Sequence, residues 1–198
     1  GLHVLAGRVK DTEQVKLKSA LRQIVTEQRT EVRLTAAQNI VLANVSPDQK
    51  DAIDAILVAH GVDTTEKQGV SEVQLGSMAC PALPTCGLSL AESERYLPDL
   101  LGTVENLLED KGLGDERVIL RMTGCPNGCA RPYMAELGFV GKRPNVYALY
   151  LGGNEEGTRL SRLYDQNVKV DELPEKLGGL FARFKAERDN SERFGDFC

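Results

Sequence analysis

Tryptophan is absent from this 198-residue chain, and histidine occurs only as His3 and His60. Aromatic residues make up 5% of the composition, so an aromatic cage or base-stacking platform has little to be built from. Two histidines exclude a histidine-rich metal centre and leave almost nothing for a histidine-based triad. No apolar run approaches the roughly 20 residues of a membrane span, which argues against a membrane role. There is no basic-then-apolar leader either, the mark of a secretory signal. The chain starts at Gly1 without a Met and reads as an excised or processed piece of a cytoplasmic protein, with a plastid as the other candidate compartment. A formal net charge of −5 argues against a broad nucleic-acid surface.

What is present is a globular composition, 41% hydrophobic, and an abundance of cysteine. Of the five cysteines, four cluster. An odd count without a leader argues for ligand or redox chemistry in a reducing compartment rather than a disulfide framework.

The apolar spacing predicts an α+β chain in two parts. Residues 1–68 read as strand Leu2–Val9, an amphipathic helix over 14–28, and strands around Val32–Leu34 and Ile40–Val45. A helix follows, capped by Ser46, opened by Pro47 and ended at Gly61. That β-α-β-β-α order is close to a ferredoxin-like unit, a half domain whose thin sheet has an edge to pair with chain elsewhere. Residues 69–198 carry a helical pattern over 89–111, with Pro98 expected to kink it, and strands at 117–122, 134–140, 145–151 and 158–163. A last helix opens at Asp171, and a loose polar tail follows at 190–193.

The chemistry is concentrated in Cys80-Pro-Ala-Leu-Pro-Thr-Cys86 and Cys125-Pro-Asn-Gly-Cys129. Two close pairs of thiolates suit an iron–sulfur cluster or zinc, and a redox disulfide is the third option. Five residues inside the first pair exceed the usual spacing of structural zinc. Asn127-Gly128 permits a tight turn that aims Cys125 and Cys129 at one centre, so all four sulfurs are expected to converge. The bland alternative, four idle buried thiols, does not account for the Pro and Gly punctuation; for Cys198 the bland reading, a free tail thiol, prevails. Between residues 121 and 162 the basic side chains Arg121, Arg131, Lys142, Arg143, Arg159 and Arg162 outnumber the acidic ones, which suits a polyanionic cofactor or anionic substrate. A solvated basic face is the competing explanation. Gly152-Gly153 and Gly178-Gly179 match no phosphate-loop pattern and read as turn and packing glycines.

The runs Met78–Cys86 and Met122-Thr-Gly-Cys-Pro-Asn-Gly-Cys-Ala-Arg-Pro-Tyr133, with Phe194-Gly-Asp-Phe197 and Arg33-Leu-Thr-Ala-Ala-Gln-Asn39, resemble the assimilatory sulfite reductase hemoproteins. These belong to the nitrite and sulfite reductases, in which siroheme is coupled to a [4Fe–4S] cluster. The resemblance spans nearly the whole chain. It implies that Cys80, Cys86, Cys125 and Cys129 ligate the cluster and that Cys129 also bridges to the siroheme iron. It implies siroheme contacts from Thr35, Gln38, Asn39, Thr123 and Asn127, with Arg121 and Arg131 as weaker candidates. For Thr35 and Asn39 a turn satisfying its own backbone explains the residues equally well. The implied reaction is six-electron reduction of sulfite to sulfide, with electrons from ferredoxin or a flavoprotein; Ala130-Arg-Pro-Tyr133 is closer to the ferredoxin-dependent members. Family members are far longer, so the N-terminal half of the same protein is an expected partner and the chain alone is expected not to turn over sulfite. Nitrite reductases share several segments but usually enclose a Gly-Asn-Gln-aromatic sequence in the first cysteine pair. A non-catalytic iron–sulfur carrier and a zinc-stabilised binding module are the readings from other classes.

Overall fold

Leu2 and Ile40 exchange backbone hydrogen bonds of 2.7 and 3.0 Å in this computed structural model, but the predicted strand Leu2–Val9 does not form. Instead a 3₁₀ turn occupies Leu5–Gly7, with Ala6 and Gly7 both at positive φ. The Val4 N–H is taken by the Asn39 carboxamide oxygen at 2.9 Å, which removes the ladder partner a strand would need. The structure describes residues 1–65 and 68–198, and these fall into two units, Gly1–Ser71 and Glu72–Cys198.

In the first unit, helix α1 (Leu17–Gln28) leads into an antiparallel hairpin of β1 (Glu31–Leu34) and β2 (Ile40–Ala43). Helix α2 (Pro47–Ala59) follows. Its start is the predicted one: Pro47 costs no hydrogen bond in the first turn, and the Ser46 N–H donates to Gln49 Oε1 at 3.0 Å. Leu2, Val4, Leu21, Ile24, Ile40, Ile53 and Leu57 form the core between the helices and the hairpin. β1 is exposed along its length, and Leu34 is 81% exposed.

The second unit is built on a five-stranded sheet flanked by helices. Helix α3 (Glu72–Leu75) precedes the short strand β3 (Met78–Ala79). Helix α4 (Leu97–Asp110) begins at Leu97, not near Ser89. Pro98 therefore falls in the first turn, where its missing N–H is harmless, and the expected kink is replaced by a start. Strands β4 (Leu120–Thr123), β5 (Leu137–Arg143), β6 (Val146–Leu151) and β7 (Arg162–Lys169) complete the sheet in the order β3-β4-β5-β6-β7. β3, β4 and β5 run parallel, whereas β6 and β7 are antiparallel additions. β4 is buried at every position, as expected of a parallel strand covered on both faces.

Helix α5 (Leu173–Glu187) packs on α4 through Leu173, Leu177, Phe181 and Phe184. The polar segment 190–193, expected to be loose, is turn and irregular backbone, and the chain beyond it forms a short helix α6 (Phe194–Phe197). Phe194 lies 5.1 Å from Phe181 and 5.5 Å from Phe184, ring centre to ring centre. Such aromatic pairs contribute about 0.5–1.5 kcal/mol each beyond their buried area. Charge holds the tail as well, because Arg193 Nε donates to the buried Glu136 at 3.0 Å. Among the described residues no helix is long and apolar enough to cross a membrane.

Candidate cluster and cofactor site

β3 and β4 pair in parallel with Ala79 opposite Met122, so both chains leave the sheet at the same end. Cys80 is the next residue on one side, and Gly124-Cys125 follow Thr123 on the other. The carboxyl ends of parallel strands are where open sheets present their ligand sites. The Cys80 N–H donates to Met122 O at 3.2 Å, and the Gly124 N–H donates to the Cys80 sulfur at 3.3 Å. Gly124 is required by this approach: a Cβ there would stand 2.6 Å from Ala91 O and 2.7 Å from Ala82 Cβ. The two cysteine loops therefore begin side by side.

All five cysteines are free; Cys80 and Cys125 are buried, Cys86 is half-buried and Cys129 is exposed. The Leu88 backbone N–H and the Ser89 hydroxyl are directed at the Cys86 sulfur and hold its thiol below the usual range. Gly128, at φ +68°, makes the turn between Cys125 and Cys129 and donates its N–H to Cys125 O at 3.4 Å, and the next turn is closed by the Arg131 N–H donating to Gly128 O at 2.8 Å. The expected convergence of all four sulfurs is not realised. Among the described residues no three His, Cys, Asp or Glu side chains are gathered to hold a metal ion. Thiols gain nothing by meeting one another and thiolates repel; a ligand set is drawn together largely by the ion it binds.

Arg121, on β4, is 4% exposed, and its Nε and NH1 atoms have no hydrogen-bond partner. Burial, and next the charge of Arg131, depress its pKa. An unpaired buried guanidinium is costly, on the order of 1–3 kcal/mol for an unsatisfied polar group, and its fork geometry matches a carboxylate. Arg131, in the left-handed region at φ +54°, places NH2 3.2 Å from the Met78 sulfur. Thr123 is buried and its hydroxyl reaches Phe139 O only at 3.5 Å, whereas Asn127 is exposed on the turn. Of the other basic candidates, Arg159 is paired with Asp196 at 2.6 Å.

The remaining candidates lie in the first unit, in the hairpin turn. Thr35 Oγ1 accepts from the Asn39 N–H at 3.0 Å, the Thr35 N–H donates to Asn39 O at 2.9 Å, and Asn39 Oδ1 holds the Val4 N–H. Gln38 sits at φ +63° in that turn. These bonds account for Thr35 and Asn39 without a ligand.

The donor set suits an iron–sulfur cluster: four free thiols on two adjacent loops, with backbone N–H groups already aimed at the Cys80 and Cys86 sulfurs. The orphaned Arg121 guanidinium suits a carboxylate-rich tetrapyrrole. Gly124, Ser89 and Leu88 were not legible as site residues from spacing, because their roles depend on which loops meet. Tyr133 is a further such residue. Its hydroxyl donates to Pro126 O at 3.3 Å, and its phenol is raised by burial, by Tyr150 and by Cys125.

Residues 1–60 match the family described as "Nitrite/Sulfite reductase ferredoxin-like half domain". The chain is 48% identical over 196 residues to the "Sulfite reductase [NADPH] hemoprotein beta-component" of Staphylococcus epidermidis, covering 99% of this chain and 34% of that relative. It is also 48% identical over 198 residues to the "Sulfite reductase [ferredoxin]" of Synechococcus elongatus, covering 100% of this chain and 31% of the relative. The solved structure of the Mycobacterium tuberculosis NirA protein superposes with a TM-score of 0.71 and 26% identity, over 90% of this chain and 34% of that one. The chain thus spans about a third of the length of the curated relatives it matches. The half-domain match over residues 1–60 and the similarity over nearly all residues make the chain similar to about a third of a nitrite/sulfite reductase.

Proposed function

We propose that this chain is the cluster-bearing part of a sulfite reductase hemoprotein and that Cys80, Cys86, Cys125 and Cys129 ligate its [4Fe–4S] cluster. The observation that carries the reading is the placement of Cys80 and Cys125 at the same end of two neighbouring parallel strands, tied by the Gly124 N–H on the Cys80 sulfur. When bound, the cluster and siroheme supply stored electrons and an electron-rich iron at which sulfite is reduced to sulfide. Cys129 would be the cluster cysteine shared with the siroheme, because it is the exposed member of its pair while Cys125 is buried. Arg121 and Arg131 would hold carboxylates of the siroheme, with Thr123 and Asn127 as neutral contacts; the resemblance also assigns siroheme contacts to Thr35, Gln38 and Asn39. The N–H groups aimed at the Cys80 and Cys86 sulfurs would tune the potential of a cluster held there.

Sulfite is favoured over nitrite by Pro-Ala-Leu-Pro-Thr within the first cysteine pair. The relatives at 48% identity include both donor classes by name; Ala130-Arg-Pro-Tyr133 favours ferredoxin in a cytoplasmic enzyme. Substrate-binding residues and much of the siroheme pocket lie in the remainder of the full-length protein. The test is turnover of the full-length protein with sulfite or nitrite, driven by reduced ferredoxin or by an NADPH flavoprotein. The reading expects sulfide evolution with ferredoxin, and none from the isolated 198-residue chain. Preferential nitrite turnover overturns the substrate assignment.

A further inference from the structure

The turn between Cys125 and Cys129 has a brace. Tyr133 lies in a 3₁₀ turn at Pro132–Met134, just past the second cysteine. Its hydroxyl donates to Pro126 O at 3.3 Å. Its ring edge lies 3.0 Å from where a Cβ on Gly128 would stand, so the ring covers the glycine that makes the turn. On its far side the ring meets Tyr150 edge-to-face, with centroids 5.0 Å apart and planes at 84°. The Tyr133 carbonyl in turn accepts the Ser161 N–H at 2.8 Å. One side chain therefore touches two of the three residues between the cysteines and anchors them to strand β6.

We infer that Tyr133 is a positioning residue for the cluster: it holds the Pro126–Gly128 peptides, and through them the Cys125 and Cys129 sulfurs, in one geometry. The inference rests on the cysteine assignment above. Gly128, with no side chain and φ of +68°, has more backbone freedom than any other residue type would have there, and the turn's own backbone bond, Gly128 N–H to Cys125 O at 3.4 Å, is long. The ring removes that freedom by contact, and the long Oη–O bond adds less. Fixed sulfur orientation and fixed N–H directions are what tune the potential of a cluster and protect its iron.

The test uses the full-length holoprotein with Tyr133→Ala, Tyr133→Leu and Tyr133→Phe, reading the cluster midpoint potential and the rate of iron loss to a chelator. Losing the ring should speed iron loss about tenfold, the factor that roughly 1.4 kcal/mol gives, and should shift the potential. Tyr133→Phe keeps the ring and should stay within about twofold of the parent, with its potential close to the parent value. If Tyr133→Ala does not fold, Tyr133→Leu carries the same comparison. Parent-like iron loss and potential in the variants lacking the ring overturn the inference while the cluster assignment stands. A phenylalanine variant as impaired as the alanine one overturns the assignment to the ring. A parent protein without acid-labile sulfide overturns the cluster assignment and this inference with it.

Discussion

The Gly124 N–H donates to the Cys80 sulfur across 3.3 Å, and this bond joins the end of β4 to the end of β3. It exists only because Gly124 has no side chain, since a Cβ would meet Ala91 O, Ala82 Cβ and Ser89 Oγ at 2.6 to 2.8 Å. Gly124→Ala must therefore push the two cysteine loops apart. Overpacking of this kind costs about 1–3 kcal/mol, and the expected result is a lower urea midpoint together with reduced iron content in the full-length protein. An alanine variant with parent-like stability and iron content would contradict the close packing.

Glu136 is the anchor of the tail. It is 1% exposed, and its two oxygens receive the Ile119 N–H at 2.8 Å, Arg193 Nε at 3.0 Å and the Gly195 N–H at 3.3 Å. Glu136→Gln puts an amide donor among those donors and should cost about 1–3 kcal/mol in chemical denaturation. Arg193→Met leaves the buried Glu136 carboxylate without its cation while two N–H donors remain, and should cost on the order of 3–5 kcal/mol. Costs below about 1 kcal/mol for both would show that the carboxylate is not the centre of the arrangement.

Arg121 sets function against stability. With Nε and NH1 buried and unpartnered, it costs free energy in the chain by itself. Arg121→Met should raise the stability of the isolated chain by about 1–3 kcal/mol in urea unfolding. In the full-length protein the same substitution should lower the siroheme retained on purification. A loss of stability in the isolated chain would mean that the guanidinium is satisfied in solution and is not waiting for an anion.

Much of this architecture was legible before the structure, and the failures share a cause. Helix α2 was readable because its start is encoded within four residues, Ser46 to Gln49, with no help from elsewhere. The pattern that suggested a helix from Ser89 was misleading, because residues 89–96 wrap the cysteine loops; Leu90 and Ala91 spend their N–H groups on Gly124 O. The Leu2–Val9 strand failed for the same reason, since Asn39, 35 positions away, claims the Val4 N–H. In the polar segment expected to be loose, Arg193 is held by Glu136, and Phe194 just beyond it packs on Phe181 and Phe184. The cysteines stood out by type and spacing, but Gly124, Ser89 and Tyr133 matter only through loops that meet in space.

Thiol reactivity separates the cysteines. The Leu88 N–H and the Ser89 hydroxyl hold the Cys86 thiol below the usual range, whereas the thiol of the exposed Cys198 is pushed up, first by partial desolvation and next by the Glu136 carboxylate. The thiolate is the reacting form. Alkylation of the cofactor-free chain followed by mass spectrometry should label Cys86 well before Cys198. The rate at Cys198 should keep rising through pH 10. Equal rates at the two sites would contradict the hydrogen bonding at Cys86.

Cofactor content of the purified full-length protein tests the central claim most directly. The account predicts iron accompanied by acid-labile sulfide and an extractable siroheme, with Cys129→Ser losing the coupling between the two while Cys198→Ser leaves both intact. Zinc without iron or acid-labile sulfide, or an iron–sulfur cluster with no tetrapyrrole, would contradict it.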